Sequence, residues 1–263
     1  MSAVLGLDPF RTAFDVMAEK QGLLDPEKDG ARPWLEAGNL LEPAILEWAR
    51  LHIGQLIVPP EAIRDPKGSC LAANPDAIVV ATGHPIEAKS HLTYTDEHWG
   101  DDGTDDIPPR VVIQAMTQMM CLDQPECQVV ALLPVRLFVP FVVRFDPELA
   151  DQIRQAADEF WKLRLADQMP DALPSPGIIK RLKREPKTIV TVPDEVFVAA
   201  KDARLARLHA EFAEKAALAK LMQKMGTAEA ARCSQGTFTY LLQQRAGYTV
   251  DPTEYRVGRF KKA

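Results

Sequence analysis

The stretch Asn74-Pro75-Asp76-Ala77-Ile78-Val79-Val80-Ala81-Thr82-Gly83-His84-Pro85-Ile86-Glu87-Ala88-Lys89 decides the reading of this 263-residue chain. An apolar, β-branched run follows Asp76, Gly83 to Pro85 carry turn chemistry, and Ile86 to Lys89 resume an extended pattern. The stretch therefore predicts a β-hairpin. Side chains alternate faces along a strand, so Glu87 and Lys89 share one face. Pairing across the hairpin brings Asp76 alongside them. Two carboxylates and one amine then converge, a set suited to a hard divalent cation and a water held beside it. Taken alone, Pro-Asp and Glu-x-Lys are common pairings, and an exposed hairpin with surface charges fits them as well.

The flanking segments add polar groups at helical spacing. Upstream, residues 34–53 read as a helix with Leu41, Ile45, Trp48 and Leu51 on its buried stripe. Pro43 demands a first turn or a kink there. Glu42 sits on or beside that stripe. It reads either as a partly exposed surface residue or as a fourth catalytic group. Downstream, residues 111–122 read as a buried helix preceded by Pro108 and Pro109. Gln114 and Gln118 lie one turn apart on it and share a face. Their partners are either backbone groups of the core or a cation-bound water and phosphate.

Composition narrows the class. The chain has no run of eighteen apolar residues, so no membrane-spanning segment is expected. Its first residues have no basic region of the secretory type. Cys70, Cys121, Cys127 and Cys233 show no Cys-x-x-Cys spacing, which predicts reduced thiols in a cytoplasmic protein and no iron–sulfur or structural zinc site. The net charge is −6, but it is unevenly spread. Residues 1–165 carry 26 acidic and 14 basic side chains, and residues 166–263 carry 11 acidic and 17 basic. An acidic half that holds a cation and a basic half that meets phosphate are compatible with a nucleic-acid enzyme. Ordinary surface charge gives the same count.

The rest of the chain divides as follows. Ala3-Val4-Leu5-Gly6-Leu7 reads as a helix end capped by Gly6. Thr12 or Asp8 caps a helix over 13–20, with Arg11 beside its start as a phosphate ligand or a solvated arginine. Residues 21–33 read as a loop, 55–58 as a short strand, 59–68 as a loop, and 90–110 as a long polar loop. Residues 128–133 and 137–143 predict two core strands, and Asp146-Pro147 opens a helix to about residue 166. Residues 167–193 read as a Pro-rich basic linker or arm, in which Lys180, Arg181, Lys183 and Arg184 are the DNA-contacting candidates outside the site. A long amphipathic helix over 195–225 has Val198, Leu205, Leu208, Phe212, Ala216, Ala219 and Met222 as its apolar positions. Short strands over Thr237-Phe238-Thr239-Tyr240 and Tyr255-Arg256-Val257, and a basic end, complete a third segment over 194–263.

The order Gly38-Asn39-Leu40-Leu41-Glu42, Asn74-Pro75-Asp76, Ile86-Glu87-Ala88-Lys89, Gln114-Ala115-Met116-Thr117-Gln118 resembles the PD-(D/E)xK nuclease superfamily. Within it, the chain is similar to the YqaJ-like viral recombinases, the family of phage lambda exonuclease. The opening Leu5-Gly6-Leu7-Asp8-Pro9-Phe10-Arg11-Thr12 and the Trp99-Gly100 loop share the likeness, which covers about residues 3–165.

The resemblance implies an α/β fold over 1–166: a restriction-endonuclease-like core with a central mixed sheet flanked by helices, followed by a helical and β C-terminal extension. It implies Mg²⁺-dependent hydrolysis of DNA, with Mn²⁺ as a substitute, commonly 5′→3′ from duplex ends. By family role Asp76, Glu87 and the Ala88 carbonyl bind the metal, supported by Glu42. Lys89 positions the attacking water, and Gln114 holds the orientation of the site. Arg11 and Thr12, in the opening stretch that shares the likeness, are further DNA-binding candidates. The implied partners are a single-strand annealing protein and further copies of the chain in a trimeric ring, in a phage- or prophage-encoded protein. The family's Ser or Thr with an upstream Arg for the 5′-phosphate has no match, since Ser2 falls elsewhere. A non-catalytic DNA-end-binding module on the same fold and a restriction-type endonuclease are the alternative readings.

Overall fold

A computed structural model describes residues 1–25, 33–92 and 98–242. The chain divides into two compact units, Met1–Arg184 and Glu185–Ala263.

The first unit runs α1 (Ala13–Lys20), α2 (Pro33–His52), β1 (Leu56–Ile57), β2 (Ile63–Arg64), β3 (Ala72–Ala73), β4 (Ala77–Val79), β5 (Pro85–Ser90), α3 (Pro109–Leu122), β6 (Glu126–Leu133), β7 (Leu137–Arg144), α4 (Pro147–Leu165) and α5 (Pro176–Ile179). Five strands form one sheet in the order β1-β4-β5-β6-β7. The β4–β5 and β6–β7 pairs are antiparallel, whereas β5 and β6 run parallel and are joined by the α3 crossover. The sheet is therefore mixed, with helices on both faces, as expected. The small β2–β3 hairpin was not foreseen. Its strands are two residues each, too short for a period-2 signal, and residues 59–68 look like plain loop.

Alternation along the strands sorts the core into two layers. One face of the sheet presents Cys127, Val129, Ala131 and Phe141 to Val111, Ala115, Met116 and Met119 of α3 and to Ile153 of α4. The other presents Ile86, Val130 and Val79 to Ile45 and Ala49 of α2. Glu87 and Val129 are register partners, so Glu87 lies on the α3 face. The stripe of α2 differs from expectation at its end. Ala49, four residues after Ile45, takes the buried position, and Leu51 is 64 % exposed. Pro43 lies inside α2 instead of starting it.

Local chemistry sets the helix ends. Thr12, and not Asp8, caps α1: its hydroxyl accepts from Asp15 N while Asp15 accepts from Thr12 N, a reciprocal capping box. Asp8 instead accepts from the backbone N–H of Phe10 and Arg11. Residues 1–7 make a single helical turn closed at Gly6 (φ 72°), where Leu7 N donates to Ser2 O and Gly6 N to Ala3 O. The cap was legible, though no full helix precedes it. α3 begins at Pro109 itself, and Asp146 caps α4 as predicted.

Residues 167–184 are not an extended arm. Ser175 N donates to Asp15 Oδ1 at 3.0 Å, Leu182 forms a bridge with Leu24, and Lys183 N donates to Leu23 O. Four prolines hid these contacts, because they lie about 160 residues apart in sequence.

The second unit holds α6 (Asp194–Met225), 32 residues long, and the hairpin β8 (Ala230–Cys233) with β9 (Gly236–Thr239). No residue of α6 is buried, and Leu205, Leu208 and Phe212 are exposed. The amphipathic expectation is therefore not matched by any covered face among the described residues. The strand expected at Tyr255-Arg256-Val257 and the basic end lie outside the described residues, as do 26–32 and 93–97 of the two expected loops. No described helix is long and apolar enough to cross a membrane.

Candidate active site

β5 is flanked by β4 and β6 and carries the central carboxylate inward. Glu87 sits opposite Val129 and beneath α3, and it is fully buried. Three donors converge on it. Lys89 Nζ, two residues along the same face, and Gln114 Nε2 at 2.6 Å both donate to Oε1. Gln118 Nε2 donates to Oε2. The two glutamines therefore have a partner that neither sequence alternative named: the site carboxylate itself. An i, i+4 pair on α3 closes on a single side chain of the sheet.

The β4–β5 turn brings Asp76 to the same place. Its Oδ2 accepts from Ala88 N at 2.7 Å, which fixes the carboxylate against the backbone between Glu87 and Lys89. α2 delivers Glu42 from the far side of the sheet edge. A Cβ placed on Gly38 would stand 3.8 Å from Ser90 Oγ, so this turn of α2 lies against the end of β5. Glu42, four residues on, shares that helix face and interacts electrostatically with Asp76 and Lys89.

The electrostatics follow from burying acids together. Desolvation raises the Glu87 pKa to about 7; Asp76 adds to the shift, while Lys89 and Gln118 oppose it. Burial also raises Asp76, against the Ala88 N–H and Lys89. Burial raises Glu42, with Asp76 adding and Lys89 opposing. Burial pushes the Cys127 thiol well up, and the charges of Glu87 and Asp76 add to it. Three carboxylates thus resist ionising together, a cost that a bound cation relieves. Beside them opens a cavity of about 340 Å³ lined by Asn74, Gln114, Thr117 and Gln118 among others.

The DNA-contact candidates are placed elsewhere. Arg11 pairs with Glu19 at the surface, and the Thr12 hydroxyl is occupied as a helix cap. Arg181 Nε donates to Asp25 O at 3.3 Å, Lys183 Nζ to Gly22 O at 2.7 Å, and Arg184 to the Lys183 carbonyl. Lys180 is exposed at the end of α5. Arg181 and Lys183 thereby fasten 180–184 to residues 22–25. Gln118 is the site residue that the catalytic assignment omitted. Its one-turn spacing from Gln114 was the available signal.

Residues 1–124 match the YqaJ-like viral recombinase domain. The matched span contains Glu42, Asp76, Glu87, Lys89, Gln114 and Gln118. Among solved structures, an alkaline exonuclease (LHK-Exo) from Laribacter hongkongensis is similar at 20 % identity and a TM-score of 0.44, over 59 % of this chain and 78 % of that one. The same exonuclease in complex with dAMP gives 19 % identity and a TM-score of 0.44, with the same coverage. The protein SSO0001 gives 12 % and 0.36, over 50 % of this chain and 61 % of that one. No curated protein matches.

Proposed function

We propose that the chain is a divalent-metal-dependent deoxyribonuclease of the PD-(D/E)xK type that digests duplex DNA from its ends, 5′→3′, in phage-type recombination. The observation that carries this reading is the convergence of Lys89, Gln114 and Gln118 on buried Glu87, with Asp76 tied to the intervening Ala88 N–H, inside a YqaJ-like domain.

The donor set fits Mg²⁺ in kind. Among the described residues no three His, Cys, Asp or Glu side chains form a ready-made metal cage. Mg²⁺ seldom uses one; it is usually held by one or two carboxylates, with water and substrate phosphate completing its shell. Asp76, Glu87 and the Ala88 carbonyl would hold it, with Glu42 acting directly or through water, and Mn²⁺ is the natural substitute. When bound, the cation supplies Lewis-acid charge for attack of water on phosphorus.

The chain's own groups do the rest. Lys89, between the buried carboxylate and solvent, orients the attacking water and balances charge on the phosphate. Gln114 and Gln118 keep Glu87 fixed, and their N–H groups favour its charged form against the burial that opposes it. The cavity lined by Asn74 and Gln114 receives the end of the strand. A single-strand annealing protein and a ring-shaped trimer belong to the same reading.

Incubation of linear and closed-circular duplex DNA with the protein and Mg²⁺ tests it. We expect the linear form alone to disappear, with label released first from 5′ ends. Cutting of the closed circle makes the protein an endonuclease. End binding without digestion makes it a non-catalytic module.

A further inference from the structure

A glutamine amide can be turned over with almost no change of shape, so its neighbours must choose which end donates. Only one orientation of Gln118 serves Glu87. Its Nε2 donates to Glu87 Oε2, and its Oε1 lies 3.7 Å from Cys127 Sγ. Cys127 is fully buried on β6 and faces the same α3 layer as Val129. Its thiol also lies 3.8 Å from the Gln128 carbonyl. Both neighbours are acceptors, so the thiol can serve them only as a donor. In the reversed orientation the Gln118 oxygen would meet the Glu87 carboxylate, and Cys127 Sγ would have to serve the amide as a weak acceptor.

We propose that Cys127 is a positioning residue: its S–H, directed at Gln118 Oε1, sets the amide orientation that holds Glu87 for cation binding. Cys127 lies beyond residues 1–124, outside the span shared with the YqaJ-like domain. The inference rests on the reading of Glu87 as a cation ligand. Outer hydrogen-bond partners of ligand side chains commonly tune cation affinity without touching the ion.

The test compares the full-length chain with its Cys127→Ser, Cys127→Ala and Cys127→Val forms. Serine keeps a donor, alanine removes it, and valine removes it while filling the space, which covers failure of the alanine form to fold. Two readouts are taken: the side-chain amide resonances of Gln118 in glutamine-labelled protein, and calorimetric titration with Mg²⁺ alone. We expect the serine form to keep the Gln118 resonances and to bind Mg²⁺ within about two-fold of the parent. The alanine and valine forms should shift or broaden those resonances and lose roughly three-fold or more in Mg²⁺ affinity. Unchanged Gln118 resonances in the alanine and valine forms overturn the proposal. So does a serine form that behaves like alanine, since the site then needs only volume. A parent chain that binds no Mg²⁺ removes the cation-ligand reading, while the Gln118 resonances still decide the role of Cys127.

Discussion

Gln118, 1 % exposed, donates its side-chain N–H to Oε2 of Glu87, itself 1 % exposed. An ionisable acid is thereby held out of water by an amide in place of a counter-charge on that oxygen. Lys89 and Gln114 serve the other oxygen.

Stability should fall between weakly acidic and weakly basic pH. Glu87 holds its proton up to about pH 7 in the fold, against an ordinary value of 4.5. The folded state therefore binds more protons than the unfolded chain between those limits. The contribution is fully present below 4.5 and is lost as pH rises through 7, on the order of 3 kcal/mol. Urea unfolding at pH 5 and pH 8 should show this decline in the parent chain, and Glu87→Gln should lack it. Equal slopes in the two would mean that Glu87 titrates normally.

Cation binding should release protons near neutrality. A carboxylate half-protonated near pH 7 must ionise to act as a ligand. Calorimetric titration with Mg²⁺ at pH 6.5, in two buffers of different ionisation enthalpy, should give a proton count above zero that vanishes in Glu87→Gln. A buffer-independent heat in the parent chain would contradict this.

The two glutamines should not be equivalent. Gln118→Leu strips Oε2 of its donor in a fully buried place, which costs about 1–3 kcal/mol. Gln114 is exposed, and the Oε1 that it serves keeps Lys89, so Gln114→Leu should cost well under that. Denaturant midpoints of the two variants measure the difference.

Outside the cluster, Asp65 is fully buried and accepts from Ser69 Oγ at 2.6 Å and from Arg154 Nε at 3.1 Å. Asp65→Ala leaves the guanidinium with only the exposed Asp151 carboxylate, at 3.6 Å, and should cost about 3 kcal/mol. Digestion of DNA well below the melting temperature should be unchanged, which separates fold from chemistry.

Much of this was legible from local chemistry. The hairpin around Gly83, the facing of Glu87 and Lys89, the Asp146 cap and the shared face of Gln114 and Gln118 each follow from one-dimensional rules. What sequence did not reveal depends on contacts across long separations. The choice of Ala49 over Leu51 on α2 depends on the sheet it meets. Asp15 reaches Ser175, and Lys183 reaches Gly22, only because the chain returns. Basic residues 180–184 look like a nucleic-acid arm until those carbonyls are seen to occupy Arg181 and Lys183. The glutamines declared a polar need without saying that Glu87 met it.

Release of acid-soluble nucleotides from linear duplex DNA, with Lys89→Ala set against the parent chain, tests the assignment of this cluster most directly. Lys89 is the one cation donating to Glu87 among the described residues. We expect Mg²⁺-dependent release by the parent chain, abolished by chelation, and a loss of roughly a hundred-fold or more in Lys89→Ala with DNA binding retained. Undiminished release by Lys89→Ala would place the chemistry somewhere other than the Asp76–Glu87–Lys89 cluster.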